Sequence, residues 1–230
     1  MSGAGVGRPR TAMILAAGRG ERLRPLTDST PKPMLRVHGA PLIEHHVRAL
    51  ARAGIRRLTV NLCWLGARIR EQLGDGARYG VTIHYSDEAP HALGTAGGIV
   101  RALPNLEPGP FAVVNADVFT DYPFERLAIG PDADAHLVMV PNPVHHPQGD
   151  FGLELDRAVA VATERLTFAG IAVYRTALFA GLADGPRPLR PLLVEAMSAN
   201  RCTAERYRGI WADVGTAERL RAVNAGDAIQ

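Results

Sequence analysis

The chain has 230 residues, 47% of them hydrophobic and 21% charged, which is enough to bury the core of one globular domain and too apolar for a disordered protein. Its formal net charge of +3 and the scatter of its basic residues do not imply nucleic acid, and no apolar run approaches the roughly 20 residues of a membrane span. Cys63 and Cys202 are isolated, with no CxxC spacing, and Cys63 sits in an apolar run as a packed free thiol, which suits a reducing cytoplasm.

Residues 1–10 are Gly-rich, lack an apolar signal core and read as a short disordered tail on an untargeted protein. Buried-type strands then alternate with helix-period segments. A strand over Thr11–Ala16 precedes a helix over Pro41–Ala53 with Ile43, Val47 and Leu50 on one face, and a strand over Leu58–Leu62 follows. A helix carrying Leu65, Ile69 and Leu73, a strand Val81–Tyr85, a helix opening near Thr95 and a strand Phe111–Asn115 continue the rhythm of a parallel sheet. After Gly130 the pattern loosens into Ala135–Val140, a Pro- and His-rich loop over 141–149, short strands over Phe151–Val161, and Phe168–Tyr174, where antiparallel strands should join the sheet. Helices over Leu189–Ala199 and Thr216–Ala225 enclose a strand at Tyr207–Trp211. The expected fold is α/β and Rossmann-like: a single domain with a mixed, mostly parallel sheet and helices on both faces.

Of the twenty-six basic residues, all but one are arginine, and the exception is Lys32 between Pro31 and Pro33. A compact ammonium on a flexible stem is not replaceable by a planar guanidinium where one point charge must meet one phosphate. The flanking prolines, with fixed φ and no donor, should keep the segment extended toward the crevice at the strand ends. The first strand runs into Ala16-Ala17-Gly18-Arg19-Gly20-Glu21-Arg22, a small-residue loop in which backbone amides can approach a phosphate and Arg19 and Arg22 add charge. Taken alone, such a loop is more often a plain turn than a phosphate site; no third glycine completes a dinucleotide fingerprint, and no P-loop exists.

Further along, Leu93-Gly94-Thr95-Ala96-Gly97-Gly98 opens a helix with residues small enough to admit a flat base, its amides reading the base edge, although an ordinary helix start looks the same. Asp117 and Asp213 stand at strand ends on one rim, where two carboxylates plus substrate phosphates suffice for Mg²⁺. Either is also a common kind of turn or cap residue, and Asp213 could cap the last helix; Asp121, Asp132 and Asp134 are read as ordinary turn residues. The neighbours His145 and His146 match no usual zinc spacing.

The run Ile14 to Thr27 with Pro31-Lys32-Pro33-Met34-Leu35 resembles the signature of sugar-1-phosphate nucleotidylyltransferases. The resemblance implies a nucleotide-binding half at about 11–120 and a sugar-binding half at about 121–230 of one domain spanning 11–230. It implies catalytic roles for Lys32 and Arg22, and nucleotide contacts from Leu15, Ala16, Ala17, Gly18, Arg19, Gly20, Glu88, Gly94, Thr95 and Gly97. Sugar-phosphate contacts fall to Asn115, Asp150, Gly170 and Trp211, and a Mg²⁺ cofactor to Asp117 and Asp213. The segments Asn142-Pro143-x-His145-His146-x-x-Gly149-Asp150-Phe151 and Tyr207-Arg208-Gly209-x-Trp211-x-Asp213-Val214-Gly215-Thr216 are similar to the subgroup that uridylylates N-acetylmuramate α-1-phosphate in cell-wall recycling. The Leu93-to-Gly97 loop instead resembles mannose- or heptose-1-phosphate guanylyltransferases, so the base stays open. A non-catalytic sugar-nucleotide sensor is the alternative of another class. The expected partners are an NTP and a sugar-1-phosphate, with neither nucleic acid nor membrane, for a cytoplasmic monomer or weak homo-oligomer.

Overall fold

Alternation along the first strand decides which face each side chain presents: Ala12 and Ile14 enter one core and Met13 the other. The computed structural model describes residues 7–226. In chain order they form β1 (Thr11–Leu15), α1 (Leu26–Ser29), β2 (Arg36–Val37), β3 (Ala40–Pro41), α2 (Leu42–Arg52), β4 (Arg57–Leu62), α3 (Gly66–Leu73), β5 (Thr82–Asp87), α4 (Gly94–Ala102), β6 (Pro110–Asn115) and β7 (Val118–Thr120). Then follow β8 (Ala135–Val140), β9 (Gly152–Glu154), β10 (Arg157–Val159), β11 (Thr167–Arg175), α5 (Arg190–Ser198), β12 (Cys202–Arg206), β13 (Trp211–Asp213) and α6 (Ala217–Ala225).

Nine strands make one sheet in the order β5-β4-β1-β6-β11-β8-β12-β10-β9, in which only β11 and β10 run against the rest. This is the mixed, mostly parallel sheet expected. Ile43, Val47 and Leu50 of α2 join Ile69 and Leu73 of α3 on one face. Ile99 of α4 packs with Leu193 and Met197 of α5 on the other. Both faces are covered, as a parallel sheet requires. β1 lies between β4 and β6 in parallel register, Leu15 opposite Asn61 and Asn115, so the ends of three strands form one rim.

Two expectations change. Of the tail, residues 1–6 lie outside the described residues, while Gly7 pairs with Ile129 and Arg8 donates to the Glu125 carbonyl, so the chain is tied down before β1. The strand expected over Tyr207–Trp211 is displaced to β12 and β13, and 207–210 connect them. Cys202 and Ala204 alternate into the core, but Thr203 and Glu205 on the opposite side are polar, a weak apolar signal for a strand. Both cysteines are free, and burial pushes the Cys202 thiol up to about 12.

Candidate active site

β7 and β13 form a separate two-stranded ribbon in which Asp213 faces Val118, and the Val214 N–H donates to the Asp117 carbonyl at 2.8 Å. The ribbon thereby brings two carboxylates, nearly a hundred residues apart in sequence, to one end. Both line a cavity of about 320 Å³ together with Arg22, Asn115, His145, His146, Gly170 and Trp211. The Trp211 indole N–H donates to the Ala169 carbonyl at 2.9 Å, which fixes the ring as one wall. Gly170, at φ 71, lies so close to Asn115 that a Cβ there would stand 2.6 Å from Asn115 Nδ2.

Each carboxylate already has a basic partner. Lys32 Nζ lies 2.5 Å from Asp117 Oδ2, and Arg219 Nη1 lies 2.6 and 2.5 Å from the two oxygens of Asp213. His145 Nε2 is 2.9 Å from Asp213 Oδ1 and 2.6 Å from Arg219 Nη1, which ties the His loop to the rim. The last helix is capped by Thr216, whose Oγ1 accepts from the Arg219 N–H at 3.2 Å, so Asp213 is free of the capping role. Arg219 lies in the C-terminal segment Thr216-x-Glu218-Arg219-Leu220 that shares the subgroup resemblance, which gives it no role; its place one turn into a capped helix beside a strand-end Asp is the signal that marks it. Among the described residues no group of three or more His, Cys, Asp or Glu could hold a metal unaided. Two hard carboxylates on one rim nevertheless fit Mg²⁺, which keeps waters and substrate oxygens for its other positions.

The Gly-rich loop folds back on the lysine. Gly20 adopts φ 71, and a Cβ there would stand 3.1 Å from both Lys32 Cβ and Thr27 Cγ2. Thr27 Oγ1 donates to the Gly20 carbonyl at 2.9 Å and holds that approach. Lys32 is not in extended chain, as the two prolines suggested: it opens a 3-10 turn over Lys32–Met34. Pro31 is extended, whereas the fixed φ of Pro33 is also that of a first helical turn. The Arg19 guanidinium stacks 4.1 Å from the Trp64 ring centroid and pairs with Glu21 at 3.1 Å, so its charge is engaged within the loop. Arg22 is exposed at the cavity. Gly215 separates it from Arg219, and a Cβ there would stand 2.2 Å from Arg219 Nη2 and 3.1 Å from Arg22 Nη2.

At the start of α4 the small residues answer to protein neighbours. The amides of Ala96 and Gly97 both donate to the Arg187 carbonyl, at 3.1 and 3.2 Å, which commits two of the amides expected to read a base edge. A Cβ at Gly97 would lie 2.3 Å from the Gly185 carbonyl, and one at Gly94, at φ 69, would lie 2.9 Å from the Arg187 carbonyl. Thr95 is half-buried between them. Glu88 is buried and points inward, accepting from the Leu93 N–H. Leu15, Ala16, Ala17 and Gly18 carry the chain from the end of β1 over the rim, and of these only Gly18 is exposed. Asp150 is also committed: Oδ2 accepts from the Phe168 N–H at 2.9 Å and Oδ1 lies 3.3 Å from His146 Nε2. It pins the His loop to β11 and offers the cavity His146 in its place.

Residues 11–162 match the family described as nucleotidyl transferase. The chain is 47% identical to N-acetylmuramate alpha-1-phosphate uridylyltransferase of Neisseria meningitidis serogroup B, over 93% of this chain and 96% of that protein. It is 30% identical to the protein of the same name from Caulobacter vibrioides, over 94% of this chain and 96% of that one. Among solved structures, an inositol-1-phosphate CTP transferase from T. maritima superposes with a TM-score of 0.74 at 18% identity, covering 97% of this chain and 100% of that chain, a shared fold.

Proposed function

The chain belongs to the nucleotidyl transferase family as a sugar-1-phosphate nucleotidylyltransferase, and we propose that it uridylylates N-acetylmuramate α-1-phosphate with UTP, in the cytoplasm, for cell-wall recycling. The observation that carries this reading is the similarity to the Neisseria protein, 47% identity over 93% of this chain. The second reading, a mannose- or heptose-1-phosphate guanylyltransferase, draws on the Leu93-to-Gly97 segment.

In the proposed reaction an oxygen of the sugar-1-phosphate attacks the α-phosphorus of UTP. The bond from that phosphorus to the bridging oxygen breaks, and pyrophosphate leaves with the electron pair. The attacking oxygen is already anionic, so no protein base or nucleophile is required; the task is to hold two polyanions in line against their repulsion. Residues 11–120 supply the nucleotide side: Leu15 to Gly20 and the Gly94, Thr95 and Gly97 segment frame it, and Lys32 and Arg22 meet the phosphates. Residues 121–230, with Asn115, supply the sugar side, where Gly170 and Trp211 shape the wall and Asp150 acts through the loop it pins. Asp117 and Asp213 would hold Mg²⁺, which when bound supplies positive charge against the phosphate oxygens. Incoming phosphates would draw Lys32 and Arg219 away from their carboxylates, leaving the pair of Asp side chains for a cation.

Pyrophosphate release from UTP, GTP, CTP and dTTP against N-acetylmuramate, mannose, glucose and heptose 1-phosphates tests the proposal. UTP with the N-acetylmuramate phosphate is expected to exceed every other pair by at least tenfold in kcat/KM. A GTP preference would establish the second reading, and no release from any pair would return the chain to the sensor class.

A further inference from the structure

Both carboxylate oxygens of Glu88 are engaged within the protein. Oε1 accepts from Asn61 Nδ2 at 2.6 Å and Oε2 from the Leu93 backbone N–H at 2.7 Å, and the residue is 2% exposed. Asn61, itself 3% exposed in β4, accepts the Ala16 N–H on Oδ1 at 2.7 Å. Its amide orientation follows from chemistry: a backbone N–H only donates, so Oδ1 must face Ala16 and Nδ2 must face Glu88. Gly98 leaves the room, since a Cβ there would lie 2.3 Å from Glu88 Oε1 and 3.0 Å from Asn61 Nδ2.

We infer that Asn61 and Glu88 are positioning residues that lock the Gly-rich loop after β1 to the loop that opens α4, so that one buried relay sets the spacing of both walls of the nucleotide site. The inference rests on the proposed reading that these two loops hold the NTP. Each link is directional: Leu93 and Asn61 donate to one carboxylate, and Ala16 donates to the amide oxygen. Links to a charged acceptor are the stronger kind, and a buried partner left unmatched carries its full desolvation cost. A ligand spanning both loops therefore feels any break in the relay as a change in their separation.

The polarity of the relay supplies a sharp test. Glu88→Gln places an NH₂ against either the Asn61 NH₂ or the Leu93 N–H, whichever way the amide turns. Asn61→Asp sets a carboxylate against the carboxylate of Glu88. The double variant Asn61→Asp/Glu88→Gln restores every donor to an acceptor, since the new carboxylate accepts from Ala16 and from the new amide, whose oxygen accepts from Leu93.

Hydrogen exchange of the free protein should show Glu88→Gln raising exchange at Ala16, and Asn61→Asp raising it at Leu93, each one link beyond the substituted side chain, with both returning to wild-type rates in the double variant. Steady-state kinetics should show the KM for UTP raised about tenfold in each single variant, the KM for the sugar phosphate within twofold of wild type, and the double variant within threefold of wild type for both. Unchanged exchange across the relay would overturn the lock, and folded single variants with a normal KM for UTP would overturn its positioning role. If the single variants do not fold, the double variant decides alone: near-wild-type KM supports the relay and a tenfold rise overturns it. Coupled exchange in a wild-type protein that binds none of the four NTPs would instead fail the proposed function and leave the lock standing.

Discussion

Lys32 could be found in the sequence because it is the only lysine, yet its surroundings could not. Its ammonium rests on Asp117, 85 positions away, and its stem packs under Gly20. The partner of Asp213 is one arginine among many, and nothing in composition separates Arg219 from the rest. Asn61 was invisible for another reason: a polar residue inside an apolar strand reads as noise until its partners are seen. Lys32→Arg should fold normally and lose at least tenfold in kcat, because the planar fork cannot take the point-charge position beneath Gly20. Equal turnover in a pyrophosphate-release assay would remove the special role of the ammonium. Gly20→Ala should act on the same group from the other side. An alanine at φ 71 costs about 1–2 kcal/mol in backbone strain, and its methyl would press on the Lys32 stem at 3.1 Å. The expected result is a Tm lower by about 2–4 °C per kcal/mol, with kcat falling more than that loss of stability explains.

The long elements were legible, and so were the short strands β9 and β10 within 151–161, but the short ribbon was not. β1, β4 and β6 are apolar runs flanked by polar turns, and α2 has a clean apolar face, so each shows in the sequence within a residue or two. The ribbon of β7 and β13 has only three residues a side, too few for any period, although it brings the two rim carboxylates together. Beneath it lies His46 of α2, fully buried, with Nε2 bonded to the Val118 carbonyl at 2.7 Å. Burial lowers its pKa to about 4, with His45 adding repulsion and the Val118 carbonyl and Asp117 opposing the shift. The unfolded chain, with His46 near its ordinary 6.5, then binds the extra proton between pH 6.5 and 4. Stability from this group is present above about pH 6.5 and is lost as pH falls toward 4, by on the order of 3 kcal/mol. Gln can still donate to the carbonyl but does not titrate, so His46→Gln should flatten the pH dependence of urea unfolding across that window. Parallel slopes for variant and wild type would place the acid sensitivity elsewhere.

Across the whole molecule, the proposed nucleotide and sugar sides meet at the rim that carries Asp117 and Asp213, and charge there is balanced by the protein itself. Lys32 neutralises Asp117 and Arg219 neutralises Asp213, so the free protein does not need a cation to keep two carboxylates on one rim. In the proposed reaction that balance would fail when phosphates arrive and compete for the two basic groups, which would leave the carboxylates facing more negative charge. The dependence on a divalent cation should therefore belong to turnover and not to folding. Treating the protein with EDTA is expected to abolish pyrophosphate release, and added Mg²⁺ to restore it, while the Tm of the free protein changes by less than about 2 °C, which for a domain of this size is under roughly 1 kcal/mol. Asp117→Ala and Asp213→Ala should likewise lose turnover by at least a hundredfold without unfolding, since the partner left behind, Lys32 or Arg219, can turn to solvent. A Tm that dropped steeply on chelation would mean a cation already holds the ribbon in the free protein; full activity in EDTA would leave Lys32, Arg22 and Arg219 to counter the phosphates unaided.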